Sequence, residues 1–499
     1  MKTIVMFDRM DLTDLFVPVG CELEKTMKVV HLAYSNDELN RLRAHGIADN
    51  VAVFKEEIKG IYPKTIVDEK QLQAVDSFII QHSKGAFNLN SAIQSDRGFA
   101  LLSLEEAQRL TLAYDQFWRD YFKRIKPDII AHETCSLMFN FLAAMHCAAA
   151  GAHYCYMPMV PGPGTGYYFM LMSGFDFICP ELDRALKEIG SGRWPLEVTK
   201  SQDYLQEARK NLAVFLAPTY KRVPLFRLAI SAILRKLQQK VRNHQYDRIL
   251  DNIDYWIEGQ CAAAEKMVNR LGYLRGITFD EIDNAEKYYF YPLHLEPEAV
   301  VLYHAHGIYK NQVKLIENIA AQLPPGKYLY VKDHPHDHGY RSADDYLTLK
   351  AIPNLRLIRE SVPGKEVIAH SLGVITITGT AGFEALLLGK PVFTFGKTFY
   401  DAAPGVTYLR NVRDLRDALY ASERRDPPKD EDLAAFLSAY LRSLHTGMTD
   451  YFAGRAKLYG IDARTNAIEV AKGIQEAVCA WGGALGHPVS RDMREPTGV

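Results

Sequence analysis

The fold is decided by one stretch, residues 372–396, which reads LGVITITGTAGFEALLLGKPVFTFG. A strand-like apolar run leads into a glycine-rich turn that begins at Gly379 and ends at Gly382, and a helix-like run follows. We expect the helix to stop at Gly389, because glycine tolerates the left-handed conformation at a helix end and Pro391 cannot continue a helix. A further apolar run comes next. The stretch therefore predicts strand, turn, helix and strand, which together make one βαβ unit.

The turn of this unit has the residue types of a phosphate site. Backbone N–H groups at a helix N-terminus are unpaired and lie at the positive end of the helix dipole. We expect the amides of Gly379, Thr380, Ala381 and Gly382 to bind a phosphate, because glycine lets a ligand approach the backbone closely. The hydroxyls of Thr378 and Thr380 can act as further donors.

Charged side chains near the turn extend the predicted site. Glu384 lies one turn into the helix, where its carboxylate can accept hydrogen bonds from two ribose hydroxyls. Residues 300–304 and 327–332 read as further strands, and Lys332 and His334 stand at the carboxyl end of the second one, the edge where open parallel sheets bind ligands. An imidazole there can donate to a phosphate oxygen. We expect this strand end to neighbour the glycine turn and to form a nucleotide site with it; the alternative is an ordinary turn with a solvated Glu384.

These residues also resemble a known family. The sequence DHP at Asp333, followed by TGTAGFEALLLGKPVFTFG from Thr378, is similar to the bacterial capsule polysaccharide synthesis glycosyltransferases. That family includes transferases of 3-deoxy-manno-octulosonic acid (Kdo) and is similar to sialyltransferases that carry a His-Pro motif. The sequence YPLHLEP from Tyr291 resembles the segment that opens the family's donor domain, although its Kdo enzymes usually have Gln where His294 stands. The likeness covers residues 288–407.

The resemblance implies a GT-B architecture, an α/β fold in which two Rossmann-like parallel-sheet domains face a cleft and the second domain binds the nucleotide. By this likeness, His334 and the turn from Gly379 would contact the phosphate of an activated sugar, and Glu384 would contact the ribose. The implied donor is a nucleotide-activated sugar, with a CMP-linked acidic sugar such as Kdo or sialic acid as the first expectation. The implied acceptor is a capsule or surface polysaccharide or a lipid-linked glycan.

Length and pattern predict two domains with a helical insert. A chain of 499 residues is longer than one core usually supports. Strand and helix patterns alternate in both halves, as in parallel sheets covered on both faces. We predict an acceptor-side Rossmann-like domain at 1–180, a helical insert at 181–285, a nucleotide-sugar-binding Rossmann-like domain at 286–440, C-terminal helices at 441–482 and a disordered tail at 483–499.

Composition narrows the function class. Apolar residues make up 48% of the chain and charged residues 24%, which is ordinary for a globular protein. A net charge of −1 gives no case for nucleic acid. No run of 18 apolar residues appears, so we expect no membrane-spanning helix. The 7 cysteines lack C-x-x-C spacing and read as buried thiols of a reducing cytosol. We therefore expect a cytoplasmic protein.

A metal site is the alternative interpretation of the histidines that follow residues 327–332. His334, His336 and His338 alternate along the chain, and imidazole suits zinc or similar ions. Pro335 and Gly339 indicate a bent loop rather than a continued strand. Phosphate-binding groups can also stabilise charge on a leaving nucleotide without a metal. We expect no metal and no other cofactor.

Sugar transfer needs a carboxylate, either as a base towards the acceptor hydroxyl or as a nucleophile. Our first candidate is Glu133, because the strand predicted at 128–131 ends just before it and a helix follows. Asp8 and Asp11, after the first strand, are the second candidates. Each of the three could instead be a capping or ion-paired surface carboxylate. His334 could serve as a general acid towards the leaving phosphate.

A basic segment begins at Lys221 and ends at Arg242, and it contains no acidic residue. Its apolar residues fall mostly on one helical face. A basic amphipathic helix can lie on anionic lipid, which would make the protein peripheral on the inner face of the cytoplasmic membrane. The alternative is a helix docked on the core with a solvated basic face.

The sequence therefore predicts a GT-B glycosyltransferase of bacterial surface polysaccharide synthesis. One alternative is a sugar-nucleotide epimerase of the same architecture, which would use the same phosphate turn and ribose carboxylate. The other is a non-catalytic scaffold of a capsule assembly complex. An epimerase would alter the donor without any acceptor, and a scaffold would show no thermal stabilisation by nucleotides.

Overall fold

A computed structural model describes residues 1–47, 51–99, 102–210, 277–296, 300–333, 341–451 and 459–481. Over these residues the chain forms two sheets of six strands each and a small three-stranded sheet. The predicted tail at 483–499 and most of the predicted helical insert lie outside the described residues.

The first half of the chain supplies β1–β8 and α1–α9. Their bounds are β1 (Thr3–Asp8), α1 (Leu12–Leu23), β2 (Lys28–Ala33), α2 (Asn36–Ala44), β3 (Ala52–Val53), α3 (Phe54–Ile61), a 3-10 turn (Tyr62–Lys64), α4 (Glu69–His82), α5 (Leu89–Ser95), α6 (Leu104–Ile125), β4 (Ile129–Ala131), α7 (Met138–Ala150), β5 (His153–Tyr156), β6 (Met159–Val160), β7 (Tyr168–Phe169), β8 (Met172–Ser173), α8 (Pro180–Gly190) and α9 (Val198–Lys210).

The first sheet has the strand order β3-β2-β1-β4-β5-β8 and is parallel except at its edge strand β8. Its central strand β1 is apolar almost throughout because both faces are covered. Val5 and Phe7 point into a core shared with α6 and α7, whereas Ile4 and Met6 point into a second core shared with α1. This is the doubly wound arrangement predicted from the continuous apolar runs.

Local sequence signals place several helix ends correctly. Ser35 caps α2, and Glu38 accepts a hydrogen bond from the Ser35 amide at 2.8 Å, which completes a capping box. Ser103 caps α6 (Leu104–Ile125) in the same way, and its Oγ accepts from the Glu106 amide at 3.3 Å. Gly151 ends α7 with φ of 68°, the left-handed conformation that glycine adopts without steric cost.

The second half supplies β9–β15 and α10–α16. Their bounds are β9 (Tyr288–Pro292), a π-helix (Val300–His304), α10 (Gln312–Gln322), β10 (Tyr328–Lys332), α11 (Ala343–Lys350), β11 (Leu355–Ile358), α12 (Gly364–His370), β12 (Val374–Thr376), α13 (Thr380–Leu387), β13 (Val392–Thr394), β14 (Val406–Tyr408), a 3-10 turn (Val412–Asp414), α14 (Leu415–Glu423), α15 (Asp430–Arg442), β15 (His445–Thr446) and α16 (Ala463–Trp481).

The second sheet is parallel throughout and has the strand order β11-β10-β9-β12-β13-β14. Its central strand β9 again alternates between two cores, with Tyr288 and Phe290 on one face and Tyr289 and Tyr291 on the other. The βαβ unit predicted at 372–396 is present as β12, α13 and β13. Two parallel-sheet domains of this kind make the GT-B architecture, as expected from the resemblance.

The strand predicted at 300–304 is wrong, because these residues form the π-helix Val300–His304. Its Tyr303 side chain packs against the first domain: the Tyr303 ring lies 5.3 Å from the ring of Phe141 and 5.8 Å from that of Phe87. A short apolar run that is buried on all sides has no periodicity to separate a strand from a helix.

Helix α16 returns from the second half of the chain to the first domain. Val470 and Ile474 of α16 share one core with Ile4 of β1 and Leu15 of α1. The last helix therefore covers a face of the first sheet, so residues from both ends of the chain build that domain.

Candidate functional site

The turn between β12 and α13 leaves a helix N-terminus open. Gly379 occupies the N-cap position without a capping side chain, and the first turn of α13 holds no acidic residue. By contrast, Asn311 caps α10, and Ser342 caps α11 in a capping box. The amide end of α13 is therefore available to an external anion in a way that those of α10 and α11 are not.

The individual amides of the turn are not equivalent. The Gly379 amide donates to Thr376 Oγ1 at 3.1 Å, and the Gly382 amide donates to the Gly379 carbonyl at 3.0 Å. These two bonds narrow the predicted anion contact to the amides of Thr380 and Ala381, the first residues of the helix, which have no intrahelical acceptor.

Close packing explains the two glycines of the turn. A Cβ on Gly382 would lie 2.4 Å from the hydroxyl of Tyr400, which donates to the Gly379 carbonyl at 2.6 Å. A Cβ on Gly379 would lie 2.7 Å from Cε1 of His294. Beside them, Thr378 Oγ1 is buried and has no hydrogen-bond partner among the described residues. The turn thus offers a shielded hydroxyl next to open amides.

Lys332 and Glu384 form the charged part of the site. Burial raises the pKa of Glu384 to about 7, although the positive charge of Lys332 acts to lower it. Burial likewise lowers the pKa of Lys332, against the opposing influence of Asp333, Glu360 and Glu384. The structure therefore brings together the predicted phosphate turn, the predicted ribose carboxylate and one cation at the same sheet edge.

The strand order corrects one expectation about this edge. Strands β10 and β12 are not neighbours, because β9 lies between them. The residue that follows β9 and reaches the turn is His294, whose Nε2 lies 3.2 Å from Thr376 Oγ1 and accepts from the amides of Ile377 at 3.3 Å and Thr378 at 3.4 Å. Sequence reasoning assigned His294 no role. Recognising β9 as a central strand would have placed it at the ligand-binding edge.

The ends of β9 and β10 are tied together by a buried ion-pair network. Arg341 Nη1 donates to Glu296 Oε2 at 2.7 Å, and its Nε lies 3.8 Å from Asp333 Oδ1. The Tyr346 hydroxyl donates to the same Asp333 carboxylate. Asp333 is thus held in place by Arg341 and Tyr346 at the end of β10. The residues beyond it, including His334, lie outside the described part of the chain, so the role of His334 stays a prediction.

The same limit applies to the predicted metal and membrane features. His336 and His338 lie outside the described residues, as does the basic segment between Lys221 and Arg242. The described ranges contain no group of three or more His, Cys, Asp or Glu side chains that could hold a metal ion. No helix within those ranges is long and apolar enough to cross a membrane.

At the carboxyl edge of the first sheet, Glu133 is held by a buried arginine. Arg9 Nη1 donates to Glu133 Oε1 at 2.5 Å, and the Arg9 guanidinium lies 5.0 Å from the ring of Tyr34 and 5.5 Å from that of Phe139. Burial acts to raise the pKa of Glu133, but the positive charge of Arg9 contributes to a pKa below the ordinary value. The Glu133 side chain remains 31% exposed. It is an ionised carboxylate at a ligand-binding edge.

Its neighbour His132 is a neutral, buried side chain. His132 Nδ1 donates to the Phe7 carbonyl at 2.8 Å, and the two rings stack 4.3 Å apart. Burial lowers the pKa of His132 to about 4. Its Nε2 lies 4.0 Å from Glu133 Oε1. The imidazole therefore packs beneath the carboxylate without neutralising it.

The two other candidate carboxylates are less well placed. Asp8 is fully buried and hydrogen-bonded to His31 Nδ1 at 2.8 Å, and burial raises its pKa to about 6 although His31 acts to lower it. Asp11 precedes α1 at the surface and lies 3.7 Å from Arg41. Glu133 combines partial exposure with a position two residues after β4 and a buried arginine that keeps it ionised.

The carboxyl edges of the two sheets meet through the π-helix. Thr134, next to Glu133, shares a 2.8 Å hydrogen bond between its Oγ1 and His304 Nε2 of the second domain. The His304 carbonyl lies 2.9 Å from the position a Cβ would take on Gly396, and Thr378 Cγ2 lies 2.4 Å from that position. A short chain of contacts thus joins the residue beside the first-domain carboxylate to the residue that opens the glycine turn.

Sequence comparison finds a family model that covers the second-domain edge. Residues 198–443 match the family model of capsule polysaccharide biosynthesis proteins. Over this region, which is just under half of the chain, the sequence is similar to that family. The match includes β9–β14 and therefore the whole candidate donor side of the site.

Curated capsule proteins match parts of the chain. The capsule polysaccharide export protein KpsS of Escherichia coli is 31% identical over 114 residues, which is 22% of this chain and 28% of KpsS. The capsule polysaccharide modification protein LipB of Neisseria meningitidis serogroup A is 25% identical over 166 residues, 32% of this chain and 36% of LipB. The chain thus spans about a third of the length of these capsule relatives.

Two solved structures show distant likeness. A β-Kdo 2,4 transferase, KpsC of Thermosulfurimonas dismutans, has 15% identity and a TM-score of 0.34, with 64% of this chain and 82% of KpsC covered. The UDP-GlcNAc 2-epimerase of Methanocaldococcus jannaschii has 12% identity and a TM-score of 0.25, with 89% and 99% covered. The fold assignment of this chain rests on its own two sheets.

Proposed function

We propose that this chain is a glycosyltransferase of capsule polysaccharide synthesis that uses a nucleotide-activated sugar. The observation that carries the proposal is the meeting of two unlike sheet edges. One edge presents an ionised carboxylate, Glu133, and the other presents an uncapped helix N-terminus with Lys332 and Glu384 beside it. Transfer of a sugar needs both features, since one group must activate the acceptor while others bind the leaving nucleotide.

The second-domain edge would bind the donor. The amides of Thr380 and Ala381 and the positive charge of Lys332 would contact the phosphate, and Thr378 Oγ1 would add a hydroxyl donor. Glu384 would accept from the ribose hydroxyls. These groups are fixed before the reaction, so they would stabilise the negative charge that grows on the phosphate as the bond between the sugar and the phosphate breaks. His334, if it faces this phosphate, would add an imidazole donor.

Glu133 would act on the first-domain side. As a base, it would take the proton of the acceptor hydroxyl while the hydroxyl oxygen bonds to the anomeric carbon; as a nucleophile, it would form a glycosyl adduct that the acceptor then displaces. The pairing with Arg9 keeps Glu133 ionised, which both roles require. No step of this scheme needs a metal ion.

The donor and acceptor are proposed from the family likeness. We propose a CMP-linked acidic sugar such as Kdo or sialic acid as the donor, and a capsule or surface polysaccharide or a lipid-linked glycan as the acceptor. A cytoplasmic location at the inner membrane face, with the segment from Lys221 to Arg242 on the lipid, would bring the enzyme to such an acceptor.

The substitution Glu133→Gln tests the proposal. It should reduce transfer by about a hundredfold or more while leaving nucleotide binding unchanged, because the amide can neither take a proton nor act as a nucleophile. Glu105→Gln, on the exposed face of α6, is the matched control and should retain activity. Transfer by Glu133→Gln at the normal rate would remove Glu133 from the mechanism.

Two further measurements separate the proposal from its alternatives. Incubating the protein with a donor but no acceptor should leave the donor sugar unchanged, whereas an epimerase would convert it. CMP, CDP or UDP should raise the melting temperature, and failure of all three to do so would favour a scaffold over an enzyme.

A further inference from the structure

His294 follows β9 at the carboxyl edge of the second sheet, and its ring contacts the backbone between β12 and α13. Strand β9 ends at Pro292, and its neighbour β12 ends at Thr376. After Thr376, the side chain of His294 supplies the acceptor for the next two amides of the chain. His294 Nε2 accepts from the amides of Ile377 and Thr378 at 3.3 and 3.4 Å.

A third amide of the turn is tied to the same nitrogen indirectly. The Gly379 amide donates to Thr376 Oγ1 at 3.1 Å, and this hydroxyl lies 3.2 Å from His294 Nε2. A nitrogen that accepts from two amides carries no proton, so the Thr376 hydroxyl is the donor in the contact with it. The imidazole thus receives hydrogen bonds, directly or through Thr376, from three successive residues that lead into α13.

The backbone of His294 is itself fixed on both sides. Gln312 Oε1 accepts from the His294 amide at 2.8 Å, and Gln312 Nε2 donates to the His294 carbonyl at 2.9 Å. Arg341 Nη2 donates to the same carbonyl at 3.3 Å. A Cβ on residue 379 would lie 2.7 Å from Cε1 of His294, so the absence of a side chain at Gly379 leaves room for the ring. The hydrogen bonds to the His294 backbone and the close contact with Gly379 therefore fix the position of the ring.

We propose that His294 is a positioning residue of the donor site, whose unprotonated Nε2 sets the backbone of the turn that contacts the donor phosphate. This inference rests on the proposed function for its consequence in catalysis, but not for its geometry. The amides of Thr380 and Ala381 follow directly on the three tethered residues, so loss of the acceptor at Nε2 frees the segment that aims them. His294 does not need to touch the sugar nucleotide.

Two substitutions of His294 that are similar in size should have different effects on the turn. Gln keeps an acceptor, its Oε1, and should preserve the turn; Leu fills the space but accepts no hydrogen bond. A buried amide without an acceptor is destabilising enough to change a local equilibrium by about tenfold or more. His370→Leu, at the exposed C-terminal end of α12, is the matched control.

The experiment uses the full chain and two readouts. Hydrogen exchange measured by mass spectrometry should show peptides spanning 374–382 exchanging about tenfold faster in His294→Leu, and near the original rate in His294→Gln and in the control. Titration calorimetry with CMP, CDP and UDP should show a Kd about tenfold higher for His294→Leu and within about threefold of the original for His294→Gln. In a transfer assay, His294→Leu should have a higher KM for the donor and an unchanged KM for the acceptor.

Several outcomes would overturn the inference. One is unchanged exchange at 374–382 in His294→Leu; another is an equal defect in His294→Gln, which would indicate a requirement for the imidazole itself. Should His294→Leu fail to fold, nitrogen-15 spectra of the unsubstituted protein decide, since a proton on Nε2 contradicts the proposed hydrogen bonds. If the unsubstituted protein binds none of the three nucleotides, the proposed function is wrong. The hydrogen-exchange result still tests whether His294 positions the turn.

Discussion

Glu384 offers a prediction in which function and stability oppose each other. Burial raises its pKa from the ordinary 4.5 to about 7. Between these values the folded protein keeps a proton that the unfolded chain has lost, so the free energy of unfolding falls as the pH rises. Each pH unit in this window lowers the free energy of unfolding by about 1.4 kcal/mol. The total loss at pH 8 is therefore at most about 3 kcal/mol.

The substitution Glu384→Gln removes this titration and keeps the shape of the side chain. Above pH 7 the variant should be more stable than the unsubstituted protein by about 2–3 kcal/mol, and the difference should disappear near pH 4.5. The same variant should bind nucleotides more weakly, because the amide offers one uncharged acceptor oxygen to the ribose hydroxyls where the carboxylate offers two charged ones. Urea denaturation at half-unit pH steps and thermal shifts with nucleotide measure the two effects.

Glu366→Gln is the matched control for Glu384→Gln. Glu366 is exposed in the first turn of α12, the helix before the site, so its substitution should change neither stability nor binding. A Glu384→Gln variant that is less stable than the unsubstituted protein at pH 8 would refute the reasoning, since it would mean that ionised Glu384 stabilises the empty fold. A gain in stability that is equal at pH 4.5 and pH 8 would refute it as well.

Three further substitutions test the geometry. Gly382→Ala should abolish nucleotide-induced stabilisation, because its Cβ would lie 2.4 Å from a tyrosine hydroxyl, whereas Gly364→Ala, with nothing within 4 Å, should not. Thr134→Val should lower the free energy of unfolding by about 1 kcal/mol through loss of the interdomain hydrogen bond, measured by urea denaturation. Arg9→Met should raise the pKa of Glu133 and move the acid limb of the rate profile to higher pH; an unmoved limb would contradict the pairing.

Much of the fold follows from local sequence signals. Periodicity and the turn residues at their ends predict a helix at Leu104–Ile125, a helix at Ala343–Lys350 and a strand at Leu355–Ile358, and the structure has the same bounds. Residues 55–100 could not be placed from the sequence, although α3, α4 and α5 lie in this region. Their short apolar stretches are interrupted by charges, and tertiary packing rather than local pattern sets where these helices begin.

The candidate site was predictable where a single segment determines it. The turn at Gly379 and the carboxylate of Glu384 lie on one βα unit, so sequence order alone brings them together. The partners of the remaining groups come from distant segments: Arg9 and Glu133 are 124 residues apart, Thr134 and His304 are 170, and His294 and Ile377 are 83. Only the strand order brings such residues into contact, and one sequence does not contain that information directly.

The packing of the last described helix limits how the protein can be synthesised. Val470 and Ile474 complete a core that begins with Ile4 and Leu15, so the N-terminal domain stays unfinished until α16 has left the ribosome. Until then, the apolar face that α16 covers is exposed, where it can bind chaperones or aggregate. A shortened version ending at residue 443, where the family match stops, would therefore misfold at its opposite end.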